Sequence, residues 1–335
     1  RILSAVKTYL PLANDCEITL EGRIHHFEDE KMEAALEGGV NRFSLGVQTL
    51  NSKVRQNVQR VDGRDAILKR LEKLCSYDNA AVVIDLIYGF PEQTMDVWEN
   101  DLRTAASLPL DGVDCYQLNV FEKSPLAKYI SLGKLPAAAD TAMKADMFAK
   151  SVEILTASQW KRLSNNHWRR TNRERNIYNE LGKSACDCLA FGCGAGGRLA
   201  GYSFMMDRKL ADWSTGIDAG HKPVVVLSAP RPLWHMLHTI SSEMELGLIN
   251  LKRLAAEFKQ PVDTVANDVI EQWISAGLLT RCGDWLLQTV AGQFWHVTLA
   301  QLLVDIIAKR LPDAQIQMPA GMPSMMGHPG HPQHG

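Results

Sequence analysis

Four polar side chains recur at the ends of four successive apolar stretches: Glu21, Gln48, Asp85 and Asn119. Glu21 closes the stretch 16–20, Gln48 follows 42–47, Asp85 stands near the end of 81–86, and Asn119 follows 113–118. In parallel β/α units the reactive groups gather where strands end, so four such residues in consecutive units can share one rim. Glu21 and Asp85 can accept hydrogen bonds from ribose hydroxyls, and their charge favours a cation such as a sulfonium. Gln48 can both donate and accept, which suits a ribose or an amino-acid group. Arg60, just beyond the second stretch, can hold a carboxylate through two parallel bonds. Together these groups describe a site for a positively charged nucleoside joined to an amino acid. The bland alternative is a set of local caps and turn formers, Asn119 above all, with Arg60 a solvated surface arginine.

Two further clusters carry metal-binding residue types. Cys186, Cys188 and Cys193 fall close together, but their spacing fits neither a zinc pattern nor a three-cysteine iron–sulfur pattern, which favours incidental thiols. Near the end, His328, His331 and His334 stand with Met322, Met325 and Met326 in a stretch rich in Pro and Gly. That stretch cannot build a core and reads as a disordered tail, although its donors suit a soft metal or haem iron.

The elements that must carry the rim alternate strand and helix. Strands are expected at 16–20, 42–47, 81–86 and 113–118, with helices at 28–36, 64–76, 95–108 and 138–158. Short apolar strands separated by helices imply parallel βαβ units. From about residue 224 the texture changes to helices at 233–246, 251–258 and 263–276, then a hairpin at 278–288 turning at Gly283-Asp284. This is the pattern of a winged helix. Its third helix carries Asp263, Asp268 and Glu271 without Lys or Arg, which is wrong for reading a DNA groove. The fold class is therefore α/β: a partial (β/α) barrel of parallel strands over residues 1–225, a small winged-helix-like domain over 226–312, and a tail over 313–335.

Bulk properties narrow the function. A formal charge of -2 gives no general attraction to nucleic acid or to an anionic membrane. No apolar run approaches the ~18–20 residues that span a bilayer. Seven cysteines, an odd number in a chain too long to need disulfide staples, fit a reducing cytoplasm.

The residues also resemble a known family. The segments 17–21 (EITLE), 39–48 (GVNRFSLGVQ) and 84–93 (IDLIYGFPEQ) are similar to the oxygen-independent coproporphyrinogen oxidase superfamily of radical S-adenosylmethionine (SAM) enzymes. The resemblance runs from about residue 1 to 310. It implies a [4Fe–4S] cluster, SAM, a tetrapyrrole substrate, and an electron donor such as a flavodoxin or ferredoxin. On the same ground Glu21 and Gly196 would touch a cluster-bound SAM, while Gln48, Arg60, Asp85 and Asn119 would hold a second. Asn119 falls where the decarboxylating branch carries a small apolar residue. The segments 165–168 (NNHW) and 189–205 (LAFGCGAGGRLAGYSFM) most resemble the branch of haem-degrading radical SAM methyltransferases that work without oxygen. The decarboxylase and a non-enzymatic haem chaperone are the alternatives. His167, flanked by Trp168, Arg169 and Arg170, becomes a candidate haem contact. The family's Cys-x3-Cys-x2-Cys motif is absent from this stretch, and family spacing places it upstream of Arg1.

Overall fold

The parallel strands are short apolar runs interrupted by a few polar side chains. The computed structural model describes residues 1–311; the tail at 313–335, with His328, His331 and His334, lies outside the described residues. In the first unit, Arg1–Asn176, strands β1 (Thr19–Arg23), β2 (Arg42–Gln48), β3 (Ala81–Tyr88) and β4 (Gly112–Gln117) pair in parallel. Two short antiparallel strands, β5 (Lys161–Arg162) and β6 (His167–Arg169), extend the sheet beyond β4. Phe43, Leu45 and Val47 of β2 and Val82, Ile84 and Leu86 of β3 are wholly buried. Arg42, Ser44, Gly46 and Asp85 interleave with them and so face the other way. A sheet covered by helices on both faces would be apolar throughout. Here one face is apolar, while the polar face sets Arg42, Ser44, Asp85 and Asp114 among the buried Val83 and Ile87.

Helices α1 (Ile2–Tyr9), α2 (Asp29–Glu37), α3 (Ser52–Asn57), α4 (Arg64–Ser76), α5 (Met95–Ser107), α6 (Pro125–Ser131) and α7 (Thr141–Ala157) connect these strands. Several start on a side-chain cap: Asn51 accepts from Lys53 and Val54, Thr94 from Val97, Ser124 from Ala127 and Asp140 from Met143. Each cap satisfies a backbone N–H that the helix cannot. Trp98 of α5 is wholly buried, and its Nε1 donates to the Met147 carbonyl of α7 at 2.8 Å, which locks the two helices together.

The segment after β2 is pinned from two sides. The buried Asp101 carboxylate accepts from Thr49 Oγ1 at 2.6 Å and from the Leu50 N–H at 3.0 Å. From the other side, Arg55 donates to the Val47 and Thr49 carbonyls at 2.5 and 2.9 Å and to the Asp62 carbonyl at 2.7 Å.

The second unit begins at Ile177. After α8 (Ile177–Lys183) come three antiparallel strands, β7 (Gly196–Leu199), β8 (Tyr202–Met206) and β9 (Val224–Ser228), with α9 (Leu210–Asp218) between the last two. Helices α10 (Trp234–Leu246), α11 (Leu251–Phe258), α12 (Val262–Val265) and α13 (Asn267–Ser275) lead into a sheet of β10 (Leu248–Ile249), β11 (Leu279–Cys282) and β12 (Trp285–Gln288). That sheet and α14 (Val290–Phe294) and α15 (His296–Arg310) complete the winged-helix-like part around Ile240, Met244, Leu254, Ile270 and Leu303. Among the described residues no helix is long and apolar enough to cross a membrane.

Three expectations shift in position. The first strand starts at Thr19, because the Asn41 side chain bonds both the Ile18 N–H and the Cys16 carbonyl and so occupies the groups that a neighbouring strand would use. Glu21 therefore sits inside β1, and Asp85 likewise lies inside β3. The fourth strand ends at Gln117, leaving Asn119 exposed in the loop beyond it. The helix expected over 263–276 is two, α12 and α13, meeting at Ala266.

Replacing Asp101 by Ala removes two buried hydrogen bonds and should lower unfolding free energy by about 2–4 kcal/mol. Urea denaturation checks this; a loss below about 1 kcal/mol would mean that Asp101 does not clamp the segment.

Candidate active site

Across the polar face the strand register aligns Arg23, Gly46, Asp85, Asp114 and His167. His167 anchors the row and is almost wholly buried. Its Nδ1 lies 2.8 Å from Asp114 Oδ1, an ion pair. Its Nε2 lies 3.1 Å from Glu174 Oε1. Glu174 in turn takes two bonds from Arg42, at 2.9 Å from Nε and 3.0 Å from Nη2. Burial opposes the charge on His167, but Asp114 and Glu174 outweigh it and lift the imidazolium to about 9. Burial also opposes the Glu174 charge, yet His167 and Arg42 hold that carboxyl below its ordinary range. The result is an internal salt chain in which each charge has an opposite neighbour.

Among the described residues Asp85 has no such ion-pair partner. Burial pushes its carboxyl up to about 7; Asp114 and Glu21 add to the shift, and His167 and Arg42 work against it. Glu21 pairs in register with Ser44 and has its side chain on the same face as Asp85, so two carboxylates address one space. Such an arrangement attracts a cation and accepts hydrogen bonds.

Gln48 reaches the same space by an unusual route. Its backbone is left-handed, with φ of 73°, at a register shift between Gly46 and Gln48. This turns the amide back over Gly46, where a Cβ would come within 2.9 Å of Nε2. A non-glycine residue held in this region is uncommon, and such strain tends to persist where it serves a site. Arg60 lies beyond α3, and both burial and the charge of Arg23 depress its guanidinium below the ordinary value. Arg55 beside it is lowered to about 10, first by burial and then by Arg60.

Glu21 and Asp85 thus share the polar face, Gln48 folds back over Gly46 of that face, and Arg60 lies near enough to Arg23 to feel its charge. Asn119 lies in the loop after β4 with no partner that ties it to them, and Gly196 belongs to the second unit, where it opens β7 opposite Met205. Among the described residues no three His, Cys, Asp or Glu side chains gather in a metal-binding group. The polar face does fit a cationic nucleoside with a carboxylate: acceptors at Glu21 and Asp85, an amide at Gln48 and a guanidinium at Arg60.

Comparison with known proteins bears on the family and the fold. Residues 4–105 match the model of the radical SAM superfamily. Anaerobilin synthase of Escherichia coli O157:H7 is 38% identical over 312 residues, covering 92% of this chain and 68% of that protein. The chain belongs to the radical SAM superfamily. Another relative of this radical SAM chain is the haem chaperone HemW of Escherichia coli, 25% identical over 90% of the chain and 79% of that protein. The solved structure of coproporphyrinogen III oxidase (HemN) from Escherichia coli shares its fold, with a TM-score of 0.75 at 17% identity, covering 92% of this chain and 73% of that one.

One sequence expectation needs correction. His167 cannot serve as a haem contact in this arrangement, because both ring nitrogens face carboxylates and the ring is enclosed. Sequence reasoning missed Arg42, Asp114 and Glu174. The signal for Asp114 was there: a charge inside a strand between Val113 and Cys115. Arg42 opens its strand beside Asn41. Glu174 lies in a loop with no periodicity to betray it.

His167 gives a sign for pH dependence. Its folded value near 9 exceeds the ordinary 6.5, so its contribution is complete below about 6.5 and disappears as pH rises through 9. Melting temperature should fall across that window, and His167→Gln should flatten the fall. A profile that does not differ between the two proteins would remove the histidinium from the account.

Proposed function

We propose that this radical SAM protein degrades haem under anaerobic conditions, transferring a methyl group from SAM as the porphyrin ring opens and iron leaves. The observation that carries this reading is the 38% identity to anaerobilin synthase across 92% of the chain, against 25% to the haem chaperone. SAM, when bound, supplies the methyl group and a sulfonium charge; radical chemistry on a [4Fe–4S] cluster comes to this chain as a family property only.

The chain's own residues bind and orient. Glu21 accepts from the nucleoside of one SAM. Asp85 faces the sulfonium of a second and gives it the counter-charge that the protein interior withholds. Gln48 donates to and accepts from the amino-acid portion, Arg60 holds the carboxylate, and Asn119 borders the site. Because Gln48 and Arg60 flank one pinned loop, a single backbone segment sets the distance between amide and guanidinium, which is the positioning that group transfer requires.

Reconstituted and reduced anaerobically, the protein should consume haem only when SAM is present, and mass spectrometry should find a product with one added methyl group. Loss of carboxylate from coproporphyrinogen would replace this reading with the decarboxylase one. Tight haem binding without SAM consumption would replace it with a carrier.

Asp85 supplies an independent check. With its carboxyl near 7, the negative charge that attracts a sulfonium is present above that pH and lost below it. SAM should bind roughly tenfold more weakly at pH 6 than at pH 8, and Asp85→Asn should bind weakly at both. Calorimetry measures this; pH-independent binding by the unaltered protein would exclude Asp85 from the sulfonium site.

A further inference from the structure

The geometry points to His25 as the residue that binds the substrate's iron, an inference that rests on the haem reading above. His25 lies in the turn Ile24–His26 immediately after the end of β1, next to Arg23. Its Nδ1 is 2.9 Å from Asp62 Oδ2. The same oxygen takes a bond from Arg70 of α4 at 2.5 Å. Burial tends to raise the Asp62 carboxyl, but the bonds from His25 and Arg70 hold it below its ordinary range. An ionised carboxylate can only accept, so Nδ1 of His25 must carry the hydrogen. In the neutral ring that leaves the lone pair on Nε2.

Nε2 makes no hydrogen bond among the described residues, and the side chain is 46% exposed. The ring also packs edge-on against His26, with centroids 5.0 Å apart, which restricts its rotation. An imidazole whose inner nitrogen donates to a carboxylate, and whose outer nitrogen is free, is oriented as a metal ligand. The carboxylate fixes the tautomer and raises the basicity of the ligating nitrogen. Asp62 plays that part here, and Arg70 fixes Asp62.

Position favours the same assignment. Asp62 stands two residues beyond Arg60, and Arg23, whose charge acts on Arg60, immediately precedes the turn. His25 is therefore on the rim of the polar face, at the end of a parallel strand, where substrate would meet the bound nucleoside. His167 has neither a free nitrogen nor exposure. If His25 only tied the turn to α4, its loss would disturb every porphyrin alike.

The test compares haem with iron-free protoporphyrin, titrated anaerobically into the full chain and followed in the Soret region. His25→Ala should weaken haem binding by about tenfold or more and shift its Soret band, while protoporphyrin affinity stays within about twofold. Asp62→Asn should shift the haem band in the same direction by a smaller amount. Added imidazole should restore the band of His25→Ala. An unchanged haem spectrum and affinity in His25→Ala would overturn the assignment, as would equal loss of both porphyrins. Failure of the unaltered protein to bind haem at all is a distinct result, and it would overturn the haem reading together with this ligand.

Discussion

Charge balance across the polar face of the sheet is the constraint on which the rest of the first unit depends. Four carboxyl groups (Glu21, Asp85, Asp114 and Glu174) are set close to one wall, and His167 and Arg42 compensate them from within. Removing one member of such a set would leave another buried and uncompensated, which is among the most damaging changes available to a core. The antiparallel attachment of β6 to β4 follows from this need. Without it, His167 would not stand opposite Asp114. Gly112 follows too, since a Cβ there would meet the Glu174 side chain and the Trp168 carbonyl at 3.1 Å.

The salt chain is a framework that leaves one charge over. Asp114 and Glu174 are both answered by His167, whereas Asp85 faces further acids and is held back from ionising. A ligand cation would relieve that tension, so the wall is prepared for a charge that it does not itself supply. The loop clamps extend the same preparation outward: Asp101 and Arg55 fix the backbone from Val47 to Asp62, and with it the positions of Gln48, Arg60 and the carboxylate behind His25.

Much of this was legible in the sequence, and for identifiable reasons. Strands 2 to 4 and helix 64–76 show strong periodicity, and their observed bounds lie within two residues of expectation. Glu21, Gln48, Arg60 and Asp85 were chosen because polar groups interrupt apolar strands or follow them; the register sets Glu21 and Asp85 on one face, and Gln48 turns back over Gly46 there. What escaped was non-local. β6 is three residues long and exists because it pairs with β4, more than fifty positions earlier. The strand β7 is four residues long and begins in two glycines, which weakens any propensity signal. His167 looked available because its flanking residues are basic, but the groups that enclose it, Asp114 and Glu174, come from a strand and a loop that sequence cannot place beside it.

Gly46 and Gln48 hold a further consequence, this time for divergence of the family. The amide of Gln48 occupies the volume that any side chain at 46 would claim, and the offending atom is the tip of a flexible chain. An alanine at 46 would thus fold well yet evict the amide, and a glycine at 48 would relax the backbone yet delete it. Neither position can drift alone without altering the ligand pocket, so the two are epistatic, and lineages that change one should be found to have changed the other.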